Sequence, residues 1–187
     1  TGYQRPALLT VLLALLLGAN NFTKPAIEVQ ALSRGAAEVL PLRMESKRGV
    51  YEKTAEPLAV KIRRVQASFP GDSLVEVTLA EAELDAGHPK ASEAAADRAL
   101  AADPRNIEAM VYKGRAIVAR AVQSKARDAK LFTEAREWFM RANKLDTEDP
   151  EPLMEFYKSY VDEWVPPRKN AIAALHYAWC KKGDFFR

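Results

Sequence analysis

Few side chains in this sequence are able to carry chemistry. His88 and His176 lie far apart, and neither has the carboxylate or thiol company of a metal pair. His88 reads as a turn residue and His176 as a helix-surface residue. Cys180 is the single cysteine, so no internal disulfide can form. Glu81, Glu83 and Asp85 cluster closely, but an acid/base dyad needs two carboxyls held in a desolvated cleft. Solvated helix surfaces show such groups routinely. No Gly-rich phosphate loop, Cys-x-x-Cys pair, Gly-x-Ser-x-Gly elbow or His-Glu-x-x-His motif occurs. The sequence therefore points away from an enzyme and implies no catalytic residue, metal or cofactor. Glu81, Arg115 and Lys158 remain as charges that could serve recognition, and the elements that hold them decide the matter.

Those elements repeat. Pro70 and Pro104 stand 34 residues apart, each inside a short break, Phe69-Pro-Gly-Asp72 and Asp103-Pro-Arg-Asn106. Between the breaks lie two helical patterns, Ser73–Ala86 and Pro89–Ala102, with Gly87-His88 at the turn. Gly87 can take the left-handed conformation that closes a helix, and Pro104 cannot continue one. A second unit runs over 107–149, with Gly114 at the small position of its first helix. Phe132, Ala135, Phe139 and Ala142 follow on its second helix. About nine extra residues between Ala119 and Leu131 contain no breaker, which predicts two longer helices. A third unit spans 150–180, with Phe156 and Tyr160 on one helix and Ala171, Leu175 and Ala178 on the next. Trp164–Pro167 forms its turn.

Helix–turn–helix units of this length, with small and aromatic residues at these intervals, resemble the tetratricopeptide repeat. The large aromatic expected early in the first helix is replaced by Glu76 in unit one and Met110 in unit two. The resemblance implies an all-α, helical-hairpin solenoid of about three repeats (73–106, 107–149, 150–180) and a protein–protein interaction role. First helices of such repeats line a concave groove. Counting along them gives Val77, Glu81 and Leu84, then Val111, Arg115 and Val118, then Met154, Lys158 and Val161 as the surface for a peptide or partner protein. The alternative for Arg115 and Lys158 is pairing within the chain, with Glu81 or Asp162. The lysine and asparagine clamp that some relatives use for a C-terminal carboxylate is missing.

The flanks are less regular. Residues 1–20 carry Arg5 and the apolar run Ala7–Leu17. Eleven residues are too few to cross a bilayer, which takes about 20. The run resembles a secretory signal segment, although Leu17 stands where a small residue is wanted; the alternative is a core helix. Contact with a membrane is expected only if residues 7–17 act in export. Within 21–50, Pro25–Gln30 suggests one short strand. A helix capped by Ser33 runs to Leu40, where Pro41 should kink or end it, and Ser46–Val50 forms a basic turn. Residues 51–70 form the leading helix of the solenoid, with Leu58, Ile62 and Val65 at helical spacing. The tail, 181–187, is too short to cap the last repeat, so Leu175, Tyr177 and Trp179 could mediate self-association. The 28 basic and 25 acidic residues are well mixed, giving a net charge of +3, and no basic face suggests nucleic acid.

The segments Leu40–Val50, Ala80–Gly87, Ala94–Pro104 and Tyr112–Arg115 resemble a bacterial subgroup in which a peptidase MA-like (gluzincin-type) domain precedes tetratricopeptide repeats. That resemblance implies an exported protein of the periplasm or cell envelope, with a cytoplasmic location as the alternative. Its second implication is a non-catalytic repeat portion of a larger hydrolase.

Overall fold

Short polar side chains decide where the helices begin. The computed structural model describes residues 33–47, 52–124 and 127–184. Among them lie eight α-helices and no strand. These are α1 (Ala36–Lys47), α2 (Glu52–Ser68), α3 (Ser73–Asp85) and α4 (Pro89–Ala102), then α5 (Ile107–Gln123), α6 (Ala129–Leu145), α7 (Glu151–Glu163) and α8 (Lys169–Asp184). The Asp72 carboxylate accepts the Leu74 and Val75 amides at the start of α3. Asn106 accepts the Ala109 amide for α5, and Asp128 accepts that of Lys130 for α6. Each cap satisfies an amide that the first helical turn leaves unpaired. Pro89 opens α4, where its missing N–H costs nothing.

Chain contacts separate a unit 1–34 from a unit 35–187, and all eight helices belong to the second. Each helix packs on its successor, so the chain forms hairpins α1/α2, α3/α4, α5/α6 and α7/α8. The first helices also touch in order, α1 on α3, α3 on α5 and α5 on α7. This is an all-α array of helical hairpins, as the 34-residue spacing implies. Ser73 and Asn106, at the starts of successive first helices, are joined by a 2.9 Å hydrogen bond from Asn106 Nδ2. One core gathers Val39, Ile62, Val75 and Ala96; another gathers Ile117, Phe132, Phe139, Phe156 and Tyr160.

Three expectations need adjustment. The helix over 36–47 does not stop at Pro41; that residue is exposed, where water can serve the carbonyl a proline leaves unbonded. The two longer helices are there, 17 residues each against 13 and 14 in α3 and α4, but the stretch 120–130 between them does hold a break, since α5 ends at Gln123 and α6 starts at Ala129. An aspartate cap and a left-handed Arg127 (φ 43°) do there what glycine or proline does elsewhere. The last helix continues to Asp184, into the expected tail. The proposed strand at 25–30 and the apolar run 7–17 lie outside the described residues. Among those described, no helix is long and apolar enough to cross a membrane.

Candidate interaction groove

The nine groove candidates separate into four groups. Leu84, Arg115, Val118 and Lys158 come together around one cavity of about 430 Å³, between the end of α3 and the middles of α5 and α7. Ala119, Val122, Gln123, Glu155 and Asp162 complete its lining without having been counted from the sequence. Met154 is half-buried on α7, and Val161 is exposed on the same helix. The assignment fails for Val77 and Val111. Val77 is 1% exposed and packs with Ala99 and Ala109; Val111 is 2% exposed and packs with Met110 and Ala142. First helices are covered by the next hairpin as well as by their own partner, so a register fixed by counting in threes and fours turns some residues into that seam.

Glu81 also lies beside the cavity rather than in it. It is 8% exposed, its carboxylate is 3.8 Å from Arg43 Nε, and it accepts from the Tyr112 hydroxyl. Arg43 also pairs with Glu108. This cluster ties α1, α3 and α5 together. Burial, then the nearby Glu81 charge, pushes the Tyr112 phenol well above its ordinary value, so it stays neutral.

Within the cavity, Arg115 is the fixed charge. Its Nη2 donates to Glu151 Oε1 at 2.6 Å and to Glu155 Oε1 at 2.8 Å, and its guanidinium lies 5.3 Å from the Tyr112 ring centroid. Burial opposes the charge, but the two carboxylates outweigh it and raise the Arg115 pKa. The intramolecular partners are thus Glu151 and Glu155, not Glu81. Lys158 is exposed, with its Nζ 3.8 Å from Glu155 Oε2. Asp162 is pushed up by burial and by Glu155, against the pull of Lys158 and Arg127. Two cations, Arg115 and Lys158, therefore meet Glu155 and Asp162 in the lining and Glu151 just outside it, next to an apolar wall of Leu84, Val118 and Val122. Such a surface suits a peptide that brings amide donors or a basic side chain beside an apolar one.

The chemistry-bearing residues have more company than their spacing suggested. His88 Nδ1 lies 3.0 Å from Glu83 Oε2 and 3.4 Å from Glu56 Oε2. Glu83 is not a surface carboxylate: its side chain is 3% exposed, and Arg63 binds it through Nε at 2.5 Å and Nη2 at 2.7 Å. Burial pushes its carboxyl up, yet the Arg63 and His88 hydrogen bonds hold it below the usual range. Cys180 lies one turn after His176, with Sγ 3.9 Å from Nδ1 on the exposed side of α8. Both pairs bridge single turns, a signal that four- and five-residue offsets could have given. Among the described residues no three His, Cys, Asp or Glu side chains converge as a metal site. Tyr177 and Trp179 are exposed on α8, whereas Leu175 is half-buried.

No protein-family model matches the chain, and no curated protein is similar to it in sequence.

Proposed function

We propose that the chain is a protein–protein interaction module of tetratricopeptide type, non-catalytic, which takes an extended peptide in the groove along α3, α5 and α7. One observation carries this reading: a single cavity is lined by residues from three successive first helices, Leu84, Arg115 with Val118, and Lys158 with Asp162. First helices of a hairpin array are the ones that share a continuous surface. The buried carboxylates do not favour chemistry, because Glu76, Glu81 and Glu83 each lie against an arginine rather than against one another. None of these three faces another of them with which it could share a proton.

Panning a displayed random-peptide library on the folded protein tests the reading. The selected peptides should carry basic and apolar residues, should lose binding to Val122→Lys, which spoils the apolar wall and repels them, and should bind Lys158→Glu more tightly. Both positions are exposed, so the variants should keep the melting temperature of the parent. Selected peptides that bind parent and both variants equally would remove the groove assignment.

A further inference from the structure

Away from that groove, a second cavity of about 520 Å³ opens where the α4–α5 loop meets α6. Its floor is apolar, formed by Leu100, Met110 and Trp138, with Leu145 at the edge. Its mouth is cationic. Arg141 and Lys144 lie three residues apart on α6 and therefore on one face, and both line the cavity. Arg141 lies 4.7 Å from the Trp138 ring centroid, and Lys113 lies 4.3 Å from the same ring. Arg43, Arg115, Arg120 and Arg136 each bind a glutamate. Arg141 and Lys144 have no carboxylate at ion-pair distance among the described residues. The aspartates next to this edge in sequence serve their own loops: Asp103 Oδ1 accepts the Arg105 amide at 3.0 Å, and Asp146 Oδ1 accepts the Glu148 amide at 2.8 Å.

We infer that this cavity is a second recognition site, for an acidic–apolar segment of a partner protein: a bulky apolar side chain seated on Trp138 and Met110, flanked by carboxylates that meet Arg141 and Lys144. Charge complementarity selects this occupant. Like charges three residues apart on a helix repel each other, and a carboxylate bound between them relieves that repulsion while an apolar anchor fills the floor. A guanidinium over an indole also offers a preorganised donor fork for a carboxylate. The groove along α3, α5 and α7 has an excess of carboxylates and calls for the opposite ligand charge. The two sites therefore bind different segments and can be separated by mutation.

The probe is a fluorescein-labelled peptide, Asp-Asp-Leu-Leu-Glu, acetylated and amidated at its ends and followed by fluorescence anisotropy. Controls are Lys-Lys-Leu-Leu-Lys and Asp-Asp-Gly-Gly-Glu with the same label. The acidic–apolar peptide should bind saturably, more weakly as salt rises, and neither control should. Arg141→Glu with Lys144→Glu should weaken it about tenfold or more, the loss expected when both charge-assisted contacts become repulsive. The melting temperature should hold, because both side chains are exposed. Leu145→Ser should weaken binding without changing its salt dependence, and Val122→Glu in the other groove should leave it unchanged. Absence of saturable binding overturns the inference, as does equal binding by the double charge reversal. Loss through Val122→Glu alone would place the peptide in the groove instead. A dimer seen by light scattering and abolished by the double reversal would seat a second copy here, and would equally overturn it.

Discussion

Hairpin α3/α4 has Ala80 and Ala96 where hairpin α5/α6 has Gly114 and Phe139, 34 and 43 residues further along the chain. In the second hairpin, a Cβ built on Gly114 would overlap the Phe139 ring. The large ring on the second helix is accommodated by removing a side chain from the first. In the first hairpin both positions are alanine, fully buried in one core. Ser92 Oγ joins the two helices by donating to the Ala80 carbonyl at 2.7 Å. The hairpins differ in polarity too. Every residue from Val75 to Glu83 of α3 is buried, two of them glutamates paired to arginines within 3 Å. Glu76, fully buried, occupies the place that Met110 holds in α5 and meets Gln66 and Arg98, each at 2.9 Å. One repeat frame thus admits two ways of filling the space between helices, small residues with buried ion pairs or a glycine with an aromatic.

The largest expected effect lies in the aromatic hairpin. Phe139→Ala should cost about 3–5 kcal/mol, as loss of a buried ring does. Gly114→Ala alone should cost about 1–2 kcal/mol, since overpacking outweighs the roughly 1 kcal/mol of helix propensity gained. The pair sharpens the comparison because together they recreate the alanines of α3/α4. In the Phe139→Ala background, Gly114→Ala should change sign and stabilise. A double-mutant cycle from urea unfolding reads the coupling directly. Simple additivity would show that Gly114 does not answer the ring.

The polar hairpin gives the next largest effect. Arg98→Ala leaves the Glu76 carboxylate buried with only the Gln66 amide and, at 3.5 Å, the Gly71 amide to serve it. Breaking a fully buried pair costs about 3–5 kcal/mol, and Arg98 is half exposed, so a loss of about 2 kcal/mol is expected. Glu76→Met, the residue at the matching place in α5, should cost less than about 1 kcal/mol, since apolar replacements of buried charges are often neutral. Arg98 can then turn to water. If thermal melts show Glu76→Met to be worse than Arg98→Ala, the carboxylate has a purpose that packing does not explain.

Much of this frame is legible in the residues. The prolines at 70 and 104, Gly87, Gly114 and the Phe–Ala–Phe–Ala run of α6 set hairpin length and register, because each has a backbone or steric requirement that few residues meet. What a first helix shows to whom is harder to read. Val77 and Val111 enter the seam between hairpins, while Val122 and Asp162, beyond the counted positions, line the cavity. Helical period fixes the angle of a side chain but not which of four neighbours lies there. The same ambiguity hides the buried glutamates. Glu83 looks solvated until Arg63, twenty residues earlier in the chain, is brought onto it.

The smallest effect expected is that of pH at Glu83. Burial alone would raise its carboxyl, and the hydrogen bonds from Arg63 and His88 reverse that, so its folded pKa lies below the unfolded one. A depressed carboxyl contributes stability that is complete above the unfolded value, about 4.3 for glutamate, and is lost as pH falls through the folded value. Arg63→Met removes the first-ranking donor and leaves burial with His88 in control. The Arg63 side chain is 41% exposed, so the neutral-pH loss should be only about 1 kcal/mol after solvent screening. That is less than for Arg98→Ala because His88 still meets the carboxylate. The difference in melting temperature between parent and Arg63→Met should be greatest near pH 7 and should shrink as pH falls below about 4 and on through the parent's depressed folded pKa, under which the carboxylate is protonated in both. A difference that stays constant from pH 7 to pH 3 would assign Arg63 a packing role through its aliphatic stem. The buried charges of α3 would then differ from the ring of α6 in kind but not in pH response.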